Sequence, residues 1–220
     1  MSRIAHPPQI FDRPRLRGRF HQVAFFVTIP AGIVLVALGP HASAKTAAVV
    51  FSATLAAMFG TSAALHRRDW PERARRTMRR LDHSVIYLLI AGTFTAFAIV
   101  ALRGTMATVL FAVVWIGAIV GIVLKLFLFD RLAWLGAALY IVLGWAAVPA
   151  APQIVSNVGL AATILLFSGG VLYTVGAVVL FTRRPDPVPA VFGYHEVWHS
   201  MVIGASLCHY AMFVLIFTSL

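Results

Sequence analysis

The sequence predicts an all-α, polytopic membrane protein: one seven-helix transmembrane domain over residues 1–220, with the N-terminus inside and the C-terminus outside. Three observations predict it. Hydrophobic residues make up 60 % of the chain and charged residues only 11 %, against roughly 25 % charged in soluble domains. Apolar runs recur that are each long enough, at about 20 residues, to cross a bilayer as a helix. The basic residues are concentrated in the N-terminal tail and in alternate connections between those runs.

The first span, 20–39, follows a basic tail, 1–19, assigned to the cytoplasm. Pro30 lies within it, and Gly39-Pro40 closes it. A basic start, an apolar run and A-S-A at 42–44 together imitate a cleavable signal peptide. The run of about 19 residues exceeds the usual 7–15 of such segments, so a retained first helix is expected. The second span, 44–66, ends in SAALH. The connection 67–82 is the longest. Its PERARRTMRR (71–80) reads as a solvated topology determinant, with a short basic helix on the membrane surface as the alternative. The third span, 83–102, opens at LDHS, where Asp82 is placed to cap the helix start.

The fourth span, 106–124, holds FAVVWIGAIVGIVL, which is apolar on every face, as a spanning helix should be. Pro149 and Pro152 close the fifth, 131–149. In the sixth, 158–181, Gly169, Gly170 and Gly176 permit close helix contact. RRPDPVP (183–189) separates it from the seventh, 192–217, which opens with YHEVWH. A β-barrel is disfavoured, because its strands are about ten residues long and alternate in polarity.

The net charge of +11 does not indicate nucleic acid. Arg3, Arg13, Arg15, Arg17 and Arg19 are in the tail, and Arg67, Arg68, Arg73, Arg75, Arg76, Arg79 and Arg80 are in connection 67–82. Lys125, Arg131, Arg183 and Arg184 follow in later connections of the same parity, and the opposite side holds only Lys45 and Arg103. This is the positive-inside pattern, with basic loops beside anionic lipid headgroups. Cys208 is the single cysteine, so no internal disulfide forms.

Ionisable groups inside a membrane cost of order 3 kcal/mol each on insertion scales, so they need a reason. The predicted topology brings His66, Asp82, His195 and His199 to one depth, from three helices far apart in sequence. His195 and His199 share a helix face, about 6 Å apart along the axis. With His66 they would form a three-histidine zinc site with one open position, the arrangement of catalytic zinc. Asp82 would hold, orient or deprotonate the metal's water, and Ser62, one turn before His66, would hydrogen-bond that water or a substrate carbonyl. His83 reads as interfacial and His21 as a minor supporting candidate. His209, about 21 Å further along the seventh helix, is too far to share the ion. HEVWH also fits the zinc-protease pattern H-E-x-x-H, but nothing in the chain indicates a peptide groove. Glu196 is therefore expected to cap its helix or meet a basic residue.

Taken together, SAALH (62–66), LDHS (81–84) and HEVWH (195–199) resemble the signature segments of the progestin and adipoQ receptor family. The wording of LRGRFH (16–21), LDHSVIYLLIAGTFTAF (81–97) and YHEVWHSMVIGASLCHY (194–210) is similar to its bacterial branch, hemolysin III. The resemblance covers essentially the whole chain. It implies seven spans with an inside N-terminus, in a bacterial inner membrane, and a zinc ion near the cytoplasmic leaflet. The implied ligands are His66, His195 and His199, with Asp82 and Ser62 beside them. It also implies kinship with alkaline ceramidases, and so an intramembrane hydrolase of a lipid amide or ester. Animal members often carry glutamine after the first histidine of the pair, which argues against Glu196 as an obligatory base. The alternative is a non-enzymatic sensor, a haemolytic pore or a membrane-homeostasis protein with structural zinc, with membrane lipids as partners in either case. A haem carrier using His66 and His195 is a third reading. A retinal protein is disfavoured, because the only lysines, Lys45 and Lys125, sit at span ends.

Overall fold

The computed structural model of the chain describes residues 14–129 and 133–219. Most of the tail 1–19, with Arg3 and Arg13, lies outside them, as does Arg131. The helices are α1 (Arg19–Leu38), α2 (Ala42–Arg67), α3 (Glu72–Ala101), α4 (Gly104–Phe127), α5 (Ala133–Gly144), α6 (Ala151–Thr182) and α7 (Tyr194–Ser219), with a short 3-10 turn at Val148–Ala150. Among the described residues the sole strand-like pairing is an isolated bridge between Val188 and Phe192. Six helical segments are long and apolar enough to cross a membrane. The chain is an all-helical, multi-pass membrane protein.

The apolar runs became helices close to their expected bounds, with three differences. First, α3 begins at Glu72, so the arginine-rich stretch is neither a loop nor a separate surface helix. It is the first part of the helix that carries Asp82, with Pro71 at the N-cap. The arginines there are mostly exposed, and Arg76 pairs with Glu72 at 3.0 Å one turn away. Second, Asp82 does not cap a helix start, since it lies in the interior of α3 and is buried. Third, the fifth apolar run breaks. α5 has 12 residues, and Pro149 stands inside the 3-10 turn, where its missing N–H costs nothing. α6 then starts at Ala151, seven residues before the expected boundary. Its backbone is non-helical at Gly159 (φ 79°, ψ 168°), the left-handed region that favours glycine, close to the expected start at 158.

α3 is the central helix, touching α2, α4, α5 and α6. α1 packs on both α2 and α7, and α6 packs on α7, closing the bundle. Small residues make close approaches: a Cβ on Gly92 of α3 would collide with the Thr54 side chain of α2. Two tyrosines tie α5 to α3, with Tyr87 Oη donating to the Gly136 carbonyl and Tyr140 Oη to the His83 carbonyl, both at 2.8 Å. The outer surface carries large exposed apolar side chains, among them Phe26, Ile33, Ile116, Leu160 and Phe181. A soluble monomer rarely exposes apolar surface on that scale, and lipid accepts it.

Candidate metal centre

Each site residue is placed by a local feature of its helix. His66 lies in the last turn of α2, with Ser62 one turn earlier on the same face. The Trp70 indole N–H donates to the Ala64 carbonyl at 2.9 Å and satisfies one of the open carbonyls at that helix end. His195 and His199 occupy the first two turns of α7. The start of α7 is capped by two carboxylates. Asp186 Oδ1 accepts from the Tyr194 N–H at 2.8 Å, and Glu196 Oε2 accepts from the Gly193 N–H at 3.0 Å. Both carboxylates meet free N–H groups at the positive end of the helix dipole.

The three expected ligands converge. One ligand atom each from His66, His195 and His199 can be chosen so that all lie within 4.8 Å of one another, a group that could hold a metal ion. His195 Nε2 and His66 Nε2 face each other at 3.2 Å. His199 is fully buried, and neither of its ring nitrogens has a hydrogen-bond partner among the described residues. A neutral imidazole carries one N–H and one lone pair, and leaving both unmet in a closed interior is costly, so the free lone pair suits a metal ion. The opposed pair leaves no space for a porphyrin plane between His66 and His195, so the haem reading does not fit.

Ser62 and Asp82 are also brought together. Both are buried, with the Ser62 hydroxyl near the Asp82 carboxyl. The ring of His83 turns away, with Nδ1 2.9 Å from the Arg79 carbonyl one turn back. His209 Nε2 lies 3.2 Å from the Leu166 carbonyl and serves the α6–α7 contact, away from the cluster as expected.

Glu196 is fully buried and makes both contacts expected of it: the helix cap and an ion pair with Arg17 Nε at 2.6 Å. Its carboxylate is thus committed to structure. Arg17 belongs to a segment that straps the start of α1 to the approach of α7. The Arg15 and Leu16 N–H groups donate to the Ala190 and Val191 carbonyls at 3.1 and 3.2 Å, and Phe20 meets Phe192 edge-on at 5.8 Å. Gly18 N-caps α1 with φ 74°, and a Cβ there would sit 2.5 Å from His66 Cβ. Gly18→Ala should therefore displace His66 and cost about 1–2 kcal/mol for the left-handed backbone alone. Thermal unfolding and metal affinity in detergent check this, and wild-type values for both would contradict it.

Sequence reasoning undervalued one residue. His21 is 1 % exposed, its Nδ1 is 2.8 Å from Ser62 Oγ, and its ring stacks on His199. The signal was available, since the buried positions of α1 are His21, Thr28, Gly32 and Leu35, a helical stripe that includes the histidine.

Residues 9–210 match the family described as Haemolysin-III related. Hemolysin-3 of Bacillus cereus is 35% identical over 190 residues, covering 84% of this chain and 83% of that protein. The Hemolysin-3 homolog of Bacillus subtilis (strain 168) is 31% identical over 189 residues, covering 84% of this chain and 85% of that protein. No solved structure matches.

Proposed function

The chain belongs to the Haemolysin-III related family, and on that premise we propose that it is a zinc-dependent intramembrane hydrolase acting on a lipid amide or ester. The convergence of His66, His195 and His199 beside the buried Ser62–Asp82 pair carries this reading. The donor set fits zinc. Two Zn–N bonds of about 2.0–2.1 Å at a tetrahedral angle hold their nitrogens roughly 3.3 Å apart, and His66 and His195 stand at 3.2 Å. The unpartnered nitrogens of His199 supply the third donor. Three histidines leave a fourth position open for chemistry.

Bound there, zinc would polarise a carbonyl and make water acidic enough to attack near neutral pH. The chain's own residues do the rest. The Asp82 carboxylate, steadied by the Ser62 hydroxyl, accepts a proton and returns it to the leaving group. The surrounding helices exclude bulk water and strengthen each of these polar contacts. Glu196 takes no part in proton transfer, because Arg17 and the Gly193 N–H occupy it.

The same reading includes seven crossings. The start of α1 meets the start of α7 through Arg17 and Glu196, so the two helices run in the same direction and an even number of crossings ends before α7. α5 supplies the needed one. Tyr140 is tied to His83 at one end of α3, and Asn157 Nδ2 donates to the Ala101 carbonyl at the other end. The chain from α5 to the first turns of α6 therefore runs the length of α3. The basic residues at the His66 end of the bundle support a cytoplasmic position for that end, and the bacterial relatives support a bacterial inner membrane.

The test is zinc analysis of the purified protein, followed by turnover of a panel of lipid amides and esters in mixed micelles. Asp82→Asn is expected to keep its zinc and lose at least about 100-fold in rate, the usual worth of a positioned acid–base group. A zinc-loaded wild type that leaves the whole panel intact would overturn the hydrolase in favour of a sensor or pore with structural zinc.

A further inference from the structure

Ligating histidines almost always donate their second ring N–H to a carboxylate, a carbonyl or water, which fixes the plane of the ring. His199 has no such partner, since both of its ring nitrogens are unpaired among the described residues. Its plane is held in another way. The His21 ring lies parallel to it, with centroids 3.7 Å apart and an interplanar angle of 9°.

That geometry also excludes His21 as a ligand of the same ion. Imidazole lone pairs lie in the ring plane, and two nearly parallel planes so spaced do not meet at one metal. His21 therefore backs the site without entering it. Its hydrogen-bonding contact is to Ser62, with Nδ1 2.8 Å from Oγ, and Phe59 meets its ring edge-on at 5.0 Å. A hydrogen on Nδ1 is accepted by the Ser62 oxygen, whereas a hydrogen on Nε2 would be a buried donor with no partner among the described residues. The geometry therefore favours the tautomer of His21 with its hydrogen on Nδ1 and its lone pair on Nε2.

We propose that His21 is a positioning residue of the metal centre: from α1 it sets the plane of His199 by stacking and orients the Ser62 hydroxyl through Nδ1. The first function rests on the metal reading given above, and the second stands without it.

Two variants separate planarity from mere space-filling. His21→Leu fills the volume without a flat face, and His21→Phe restores the face. Full-length protein in detergent is loaded with zinc or cobalt(II), and folding is checked by thermal unfolding. His21→Leu is expected to bind zinc about 10- to 100-fold more weakly, the range for groups that orient a ligand, and to alter the visible cobalt spectrum. His21→Phe is expected to recover both. Nitrogen-15 NMR of histidine-labelled protein is expected to show His21 protonated at Nδ1, with its resonance moved by Ser62→Ala. Equal zinc affinity in His21→Leu and wild type would overturn the stacking function, and so would His21→Phe as weak as His21→Leu. A proton on Nε2 would overturn the Ser62 function. A wild type that takes up no metal refutes the metal reading and the stacking function with it. The NMR result then still decides the contact with Ser62.

Discussion

Arg17→Ala should lower the unfolding free energy by about 3 kcal/mol, the lower end of the cost of stripping one partner from a buried ion pair. The asymmetry of the pair sets this value. The Glu196 side chain is 0% exposed and Arg17 21%. Removing Arg17 leaves a carboxylate in the interior with only the Gly193 N–H to face among the described residues. Glu196→Gln is the milder change, because it leaves no buried charge and Arg17 can turn to water. Its cost is about 1–2 kcal/mol, near the worth of a hydrogen bond to a charged group. Chemical unfolding in detergent, followed by tryptophan fluorescence, measures both. Equal losses in the two variants would mean that the carboxylate is not desolvated as described.

His195→Ala is expected to weaken zinc binding by more than about 100-fold, beyond the 10- to 100-fold loss seen when only a supporting group is removed. The two remaining donors come from different helices, so the loss is not recovered by local adjustment. His209→Ala is the internal control. It removes a histidine from the same helix that bonds the Leu166 carbonyl and stands outside the cluster. Competition with a chromophoric chelator distinguishes the two. Similar affinities in both variants would show that the cluster is not the binding site.

The sequence revealed the helices because lipid demands long apolar runs, and it singled out the histidines that converge because a pair one turn apart is readable on any helix. His66 came from topology: it had to share the depth of His195 and His199. What it did not reveal depended on contacts between distant segments. The arginines of 71–80 concealed the start of α3, since a basic helix outside the apolar core carries no hydropathy signal. Asp82 therefore looked terminal while lying inside a helix. Pro149 could be read as punctuation, but not as the turn that shortens α5 and starts α6 early. Glu196 could be read only as a cap or an ion-pair partner, and the choice of Arg17 required strapping 15–17 against 190–196. His21 could be read only as a minor supporting candidate, because its stack on His199 joins distant segments. The resemblance carried by SAALH, LDHS and HEVWH is borne out at the level of the family.

The central claim is that three histidines from two helices hold a zinc ion with an open position. X-ray absorption at the zinc edge of the purified protein tests it most directly. The account predicts three imidazole nitrogens at about 2.0–2.1 Å and one further light donor. Zinc held by fewer than three imidazoles, or a spectrum unchanged by His66→Ala, would contradict it.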